Sequence, residues 1–314
     1  MSLYALFTRP GPNGLGYRTT ADEATEGVSL AGKTILLTGC NSGIGLEALR
    51  TLARRGARVV ATARTVEKAK EAFAAAGASA TAIPLACELS DPKSVRACVD
   101  EVKRQAPALD AILCNAGVMA LPKREQAFGI ELQFFTNHIG HFLLVTGLLD
   151  RLTDDGRVVL ISSEAHRQAP REGIRFDDLS AEKRYSPWMN YGQSKLANLL
   201  FAKELARRFA GTRRTANAVH PGVIATNLTR HMNPIAGAAW AALGPLVLKT
   251  APQGAATGVY VVAHPDAAKT SGEYWSNCNV ARPRADANDP ALAARLWAES
   301  ERIVAGLPSV GKAA

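Results

Sequence analysis

Lys33-Thr34-Ile35-Leu36-Leu37-Thr38-Gly39-Cys40-Asn41-Ser42-Gly43-Ile44-Gly45 is the stretch that decides the fold. It opens with a short apolar run, passes into a turn signal, and leads to the helical pattern of Leu46 to Leu52. The unit reads as strand, turn, helix, with the glycines in the turn. Gly39 allows a tight backbone, Gly43 lets a phosphate approach the main chain, and Gly45 lets the helix pack close to the strand. A helix starting there offers unpaired N–H groups and a positive dipole end to a pyrophosphate. The spacing is Gly-x-x-x-Gly-x-Gly, which differs from the Gly-x-Gly-x-x-Gly fingerprint.

Beyond this unit the pattern repeats. Apolar, β-rich runs recur at 34–38, 58–62, 81–85, 110–114, 157–162, 215–219 and 273–276. Helix-like segments lie among them at 66–76, 92–105, 129–152, 190–209 and 253–263. Regular β–α alternation implies a parallel sheet with helices on both faces. Right-handed crossovers make it doubly wound, so the expected fold class is α/β, a single-domain Rossmann-type sheet. Ligands in such a sheet collect at the carboxyl ends of the strands.

A second device lies at Tyr191-Gly192-Gln193-Ser194-Lys195. On a helix, residues four apart share a face, which brings the Lys195 ammonium near the Tyr191 hydroxyl. A phenol with a pKa of about 10 is a poor acid–base group near neutrality, and a fixed positive charge lowers that value. The pair is a candidate general acid–base catalyst.

Together with four further stretches, these motifs resemble a short-chain dehydrogenase/reductase, in the branch of retinol dehydrogenases and WW-domain-containing oxidoreductases. The stretches are Cys114-Asn115-Ala116-Gly117, Asn137-His138-Ile139-Gly140-His141-Phe142, Ile161-Ser162-Ser163-Glu164-Ala165-His166, and the loop His220-Pro221-Gly222-Val223-Ile224-Ala225-Thr226. The similarity runs from about Gly16 to the Leu296-Trp297 helix. It implies about seven strands in the order 3-2-1-4-5-6-7 and a helical lid over the substrate.

The resemblance also assigns roles. Tyr191 is the general acid that protonates the carbonyl oxygen in reduction, or the base in oxidation. Lys195 lowers its pKa and holds the nicotinamide ribose. Ser163 polarises the substrate oxygen, and is preferred over Ser162 because alternation turns Ser162 to the other sheet face. Asn137 anchors, through its backbone carbonyl, a relay water to Lys195. Cofactor contacts are expected from Gly39, Asn41, Ser42, Gly43, Ile44, Gly45, Asn115, Ala116, Gly117, Tyr191, Lys195, Pro221, Gly222, Val223 and Thr226. His138, His141 and His166 match no catalytic role in the family and are read as structural.

The second strand speaks to the choice of cofactor. It runs Arg58-Val59-Val60-Ala61-Thr62-Ala63-Arg64. Ala63 stands where NAD-preferring enzymes place an acid on the ribose 2′-hydroxyl, and Arg64 follows it. A guanidinium there would pair with a 2′-phosphate, so NADP(H) is expected. Family members carry Asp before the leucine after the third strand, against the adenine amino group. Here Glu88-Leu89 stands instead, one methylene longer.

Composition excludes other classes. Lys and Arg number 37 against 28 Asp and Glu, a net charge of +9, which raises a nucleic-acid partner. The basic residues are dispersed, with no run longer than pairs such as Arg54-Arg55, Arg207-Arg208 and Arg213-Arg214, so a solvated basic surface is the reading. The stretch from Met232 to Leu248 is too short and too broken by Pro234, Gly237, Gly244 and Pro245 to span a membrane. Five cysteines without Cys-x-x-Cys spacing predict neither a metal site nor a disulfide framework, and fit a reducing compartment. The first ten residues lack the pattern of a signal peptide, so the expected location is cytoplasmic.

Residues 1–30 are expected to form an extension packing on or near the core, followed by one domain over 31–314 with the lid at about 227–250. The lid's Met232, Ile235, Trp240, Leu243 and Leu246, with Phe176, Tyr185, Trp188 and Met189 from a second insertion, suggest a lipophilic aldehyde, ketone or alcohol as substrate. Apolar residues on several faces of 129–152 and 190–209 raise a homodimer through those helices. The competing functional class is a non-catalytic NADP-binding redox-sensing or interaction protein. Retention of Asn137, Ser163, Tyr191 and Lys195 together argues for the enzyme.

Overall fold

The structure, a computed structural model, describes residues 8–78, 82–224 and 248–308. Strand β1 (Thr34–Thr38) is central because both its faces are apolar. Leu36 joins one hydrophobic core, while Ile35 and Leu37 join the other. It pairs in parallel with β2 (Arg58–Ala63), Leu36 opposite Val60, and with β4 (Leu109–Cys114), Leu36 opposite Ile112. Outside β2 lies β3 (Ala82–Ala86). On the other side follow β5 (Leu152–Ile161), β6 (Thr215–His220) and β7 (Tyr274–Ser276), all parallel. The order is the expected 3-2-1-4-5-6-7, with one addition. A final β8 (Asn279–Ala281) turns back antiparallel on β7 through Asn277 and Cys278, at φ 53° and 61°. Two left-handed residues are what a two-residue hairpin turn needs.

Helices α1 (Gly43–Arg54), α2 (Val66–Ala76) and α6 (Ala251–Ala263) cover one face of the sheet. Helices α3 (Pro92–Gln105), α4 (Gly140–Leu148), α5 (Pro187–Arg208) and α7 (Pro290–Ala305) cover the other. Several bounds follow from local chemistry. The Thr65 hydroxyl accepts from Lys68 N and Gly77, at φ 66°, closes α2. Asp91 caps α3, with Pro92 in the first turn. Pro187 starts α5 three residues before the expected Asn190, and a Thr250–Gln253 capping box starts α6 two residues before Gln253.

One expected element is wrong in kind. The helix anticipated over 129–152 is broken into a small hairpin (Gln126–Ala127 with Ile130–Glu131), a short helical turn (Leu132–Phe134), a π-helical turn (Phe135–Ile139), α4 and a 3-10 turn (Leu149–Arg151); β5 begins at Leu152. Phe128 and Gly129, at φ 51° and 76°, make the hairpin, and the buried Glu131 carboxylate accepts from Phe134 N at 2.9 Å. The apolar excess on α4 and α5 is used within the chain. Trp297 of α7 sits edge-on to Phe142 at 4.9 Å and tilted on Phe201 at 5.7 Å. These contacts take up part of the apolar surface on which the expectation of a homodimer rested.

The N-terminal extension lies on α1, α6 and the β7–β8 turn. Ala21 N donates to Pro252 O, Asn13 Nδ2 to Cys278 O at 2.8 Å, and Arg55 to Asp22 O at 2.7 Å. Ala21, Ala24 and Leu30 are buried in the α1–α6 core. Among the described residues no helix is long and apolar enough to cross a membrane, and no His/Cys/Asp/Glu group could hold a metal.

Candidate active site

The parallel strands deliver their loops to one edge of the sheet, and the expected residues meet there. Tyr191 and Lys195 are buried on consecutive turns of α5, with Nζ of Lys195 5.5 Å from the centre of the Tyr191 ring. Ser163 lies just past β5 in extended backbone, near enough to Tyr191 to influence its phenol, and its Oγ accepts from Ala165 N at 3.2 Å. Ser162 is spent elsewhere, but not for the reason expected. Its hydroxyl meets α5, donating to the Lys195 carbonyl at 2.8 Å, so contact and not sheet alternation takes it out of the cleft.

The electrostatics differ from the expectation for Tyr191. Burial pushes its phenol up to about 12, with Ser163 opposing. Burial also pushes Lys195 down to about 8, and its ammonium donates to Ile161 O at 3.1 Å. Burial is the dominant influence on the phenol, which keeps its proton at neutral pH.

Asn137 occupies the π-helical turn, the kind of local widening that recurs at functional sites. Its Nδ2 donates to Ser194 Oγ and Val118 O, both at 2.9 Å, and its Oδ1 accepts from Val118 N at 2.8 Å. A Cβ on Gly117 would stand 2.8 Å from Asn137 Oδ1 and 3.5 Å from Lys195 Nζ, so only glycine lets β4's loop come this close. The Asn137 carbonyl is engaged by His141 Nδ1 at 2.9 Å. The far nitrogen of that imidazole lies 2.9 Å from Thr38 Oγ1, which already accepts from Asn115 N and Ala116 N. Thr38 must therefore donate its one proton to His141 Nε2, leaving Nδ1–H to donate to Asn137. Burial pushes His141 down to about 4 and keeps it neutral. His141 thus ties the glycine-loop strand to the Asn137 turn, a structural role as read, with the distant Thr38 as the partner that sequence reading did not supply. His138 and His166 are structural as read. His138 is buried against Ser300 Oγ at 2.8 Å, and His166 bonds Ser163 O and Arg284 N.

The glycine loop fits a dinucleotide. Gly39 and Gly43 have φ of 73° and 52°, and a Cβ on Gly45 would stand 1.9 Å from Gly39 O. Asn115 Nδ2 staples the turn, donating to Thr38 O at 2.9 Å and Gly39 O at 3.1 Å. Ser42 at the start of α1 makes no side-chain cap, which leaves its first N–H groups available to an anion. Asn41, Ser42 and Ile44 lie in this loop, and Asn115, Ala116 and Gly117 lie beside it.

At the far end of the cleft Arg64 is 70% exposed and lies 3.6 Å from Glu88 Oε2. Glu88 Oε1 accepts from Ser90 N and Oγ at 3.1 and 2.8 Å, with Leu89 buried next to it. The longer acid thus reaches the arginine. Pro221, Gly222 and Val223 follow β6, with Gly222 at φ 94° and Val223 exposed. Thr226 and most of the lid expected at about 227–250 lie outside the described residues.

The family model for short chain dehydrogenases matches residues 33–175. Over 98% of this chain and 100% of its own length, the Brassica napus "Short-chain dehydrogenase TIC 32 B, chloroplastic" is 41% identical. Mouse retinol dehydrogenase 12 is 40% identical over 87% of this chain and 86% of its own. A crystal structure of an uncharacterised protein from Mycobacterium paratuberculosis, 36% identical, superposes with a TM-score of 0.73 over 91% of this chain and 98% of that one. With its glycine loop, Asn-Ala-Gly stretch and Tyr191–Lys195 pair gathered at one sheet edge, the chain belongs to the short-chain dehydrogenase family, in its retinol dehydrogenase-like branch, an oxidoreductase family that acts on alcohol or carbonyl groups with a nicotinamide cofactor.

Proposed function

We propose that this protein is an NADP(H)-dependent oxidoreductase exchanging hydride with a lipophilic aldehyde, ketone or alcohol. The observation that carries the reading is the buried Tyr191, one helical turn from Lys195, with Ser163 near enough to its hydroxyl to oppose the effect of burial. A bound nicotinamide supplies or accepts the hydride. In reduction Tyr191, held protonated by burial, gives its proton to the carbonyl oxygen. Ser163, its Oγ already accepting from Ala165 N, donates to that oxygen as charge develops. Lys195, still charged at neutral pH, stabilises the phenolate left behind. Asn137 and His141 fix the turn that faces Lys195. Arg64 pairs with the 2′-phosphate of NADP(H), and Ala63 offers no carboxylate against it.

The substrate class rests on apolar surface at the cleft mouth. Trp188 is 42% exposed and edge-on to Tyr191 with ring centres 6.2 Å apart, and Val223 is 48% exposed on the Pro221–Gly222 loop. The five cysteines are free and buried, which suits a reducing compartment such as the cytoplasm. A panel of aldehydes, ketones and alcohols, followed by NADPH oxidation or NADP reduction, tests the reading. Saturable turnover of an apolar carbonyl is expected. Tight NADPH binding with no turnover of any member would favour the sensing or interaction protein instead.

A further inference from the structure

Lys249 carries a deeply buried ammonium. Its side chain is 1% exposed, and its ammonium has no hydrogen-bond partner among the described residues. Burying an ammonium this way costs several kcal/mol unless something offsets it. The nearby offset is weak: Nζ lies 4.9 Å from the centre of the Tyr17 ring, in the N-terminal extension. Burial accordingly pushes Lys249 down to about 8, with Cys278 opposing. Burial pushes down His220, at the end of β6, and the Lys249 charge adds a smaller push in the same direction.

Its position is informative. Lys249 pairs as a β-bridge with Ile224, its N–H donating to Val223 O at 2.8 Å. Its alkyl chain lies against Gly222, where an added Cβ would stand 2.5 Å from Lys249 Cδ. Ile224 and Ile44 both crowd Gly254 in α6, and Ile44 belongs to the first turn of α1, the expected pyrophosphate end. Lys249 therefore sits behind the Pro221–Gly222 loop, and its bridge partner Ile224 packs on the part of α6 that also meets Ile44 of α1.

We propose that Lys249 is a cofactor-positioning residue, its alkyl chain shaping the Pro221–Gly222 loop and its ammonium supplying buried positive charge that the phosphates of a bound dinucleotide offset. Tyr17 holds that ammonium in place, which gives the N-terminal extension a part in cofactor binding. The proposal rests on the dinucleotide reading of the cleft.

The test measures NADPH dissociation constants by fluorescence titration, with thermal unfolding of the cofactor-free protein. Lys249→Met keeps the alkyl packing and removes the charge. It is expected to weaken NADPH about tenfold or more while raising the melting temperature of the cofactor-free protein. A merely structural lysine would not separate the two in this way. Lys249→Arg should stay within a few-fold of the unmodified protein, and Tyr17→Leu should weaken binding by a smaller factor. NADPH affinity unchanged in Lys249→Met, or affinity and stability falling together there, overturns the proposal. Failure of the unmodified protein to bind NADPH or NADH overturns the dinucleotide reading itself, a result distinguishable from either.

Discussion

The two ends of the cofactor cleft are built on opposite plans. At the catalytic end Tyr191, Lys195 and Asn137 are buried and the polar groups around them are already engaged: Lys195 with Ile161, Ser163 with Ala165, and Asn137 with Val118, Ser194 and His141. At the adenosine end the deciding side chain, Arg64, is mostly exposed and leans on one carboxylate. The first end is preorganised by packing, so a small change there should be felt as rate. The second is set by one or two solvated charges, so changes there should be felt as modest preferences.

The largest effect should come from Tyr191→Phe. It removes the transferable proton and leaves the packing, so turnover should fall by orders of magnitude while NADPH affinity stays nearly intact. Turnover above roughly a tenth of the unmodified rate would end the assignment of Tyr191 as acid. At the other end, Ala63→Asp with Arg64→Leu should reverse a preference for NADPH over NADH. Because Arg64 is 70% exposed, its charge-assisted bond should contribute at the low end of the usual range, about 1.5 kcal/mol or roughly tenfold in affinity. Equal efficiency with NADH and NADPH in the unmodified protein would make Arg64 a plain surface arginine and leave the reductase reading standing.

A smaller effect sharpens the same contrast. Glu88 lies 3.6 Å from Arg64 and competes with any phosphate for it. Glu88→Gln should therefore tighten NADPH binding by about two- to fivefold and leave NADH unchanged. Weaker NADPH binding would mean that Glu88 orients Arg64 instead. Subtler still is a pH dependence at Lys249, whose folded value of about 8 lies below its ordinary 10.5. A depressed lysine burdens the fold fully below about pH 8 and ceases to do so as pH rises past about 10.5. The thermal gain of Lys249→Met should thus be largest at pH 7 and shrink toward pH 10. A gain that stays constant over that range would trace it to packing.

What sequence reading recovered had local partners. Tyr191 and Lys195 are four apart, and Gly39, Gly43 and Gly45 share one turn. Where the partner was distant, the reading stopped. Thr38 and His141 lie 103 residues apart, and Lys249 meets Tyr17 across nearly the whole chain. Arg64 and Glu88 were each singled out, but not their pairing, because adjacency of β2 and β3 says nothing about which side chains reach across. The helix expected over 129–152 failed for another reason. Phe128 takes a left-handed backbone that residue preferences disfavour, and apolar spacing on either side imitates a continuous helix.

The π-helical turn at Phe135–Ile139 amounts to one residue more than a regular helix would use. Length and function are therefore coupled at this point of the chain. Deleting Ile139 would let the helix close into ordinary α-helical geometry, drawing the residues of the turn back into the helix and changing which carbonyl each following residue meets. Asn137 would leave Val118 and Ser194, and His141 would lose its carbonyl. The expected product is a chain that still folds its sheet but no longer assembles its catalytic end. Single-residue gaps in this helix should then be scarcer among active relatives than substitutions are.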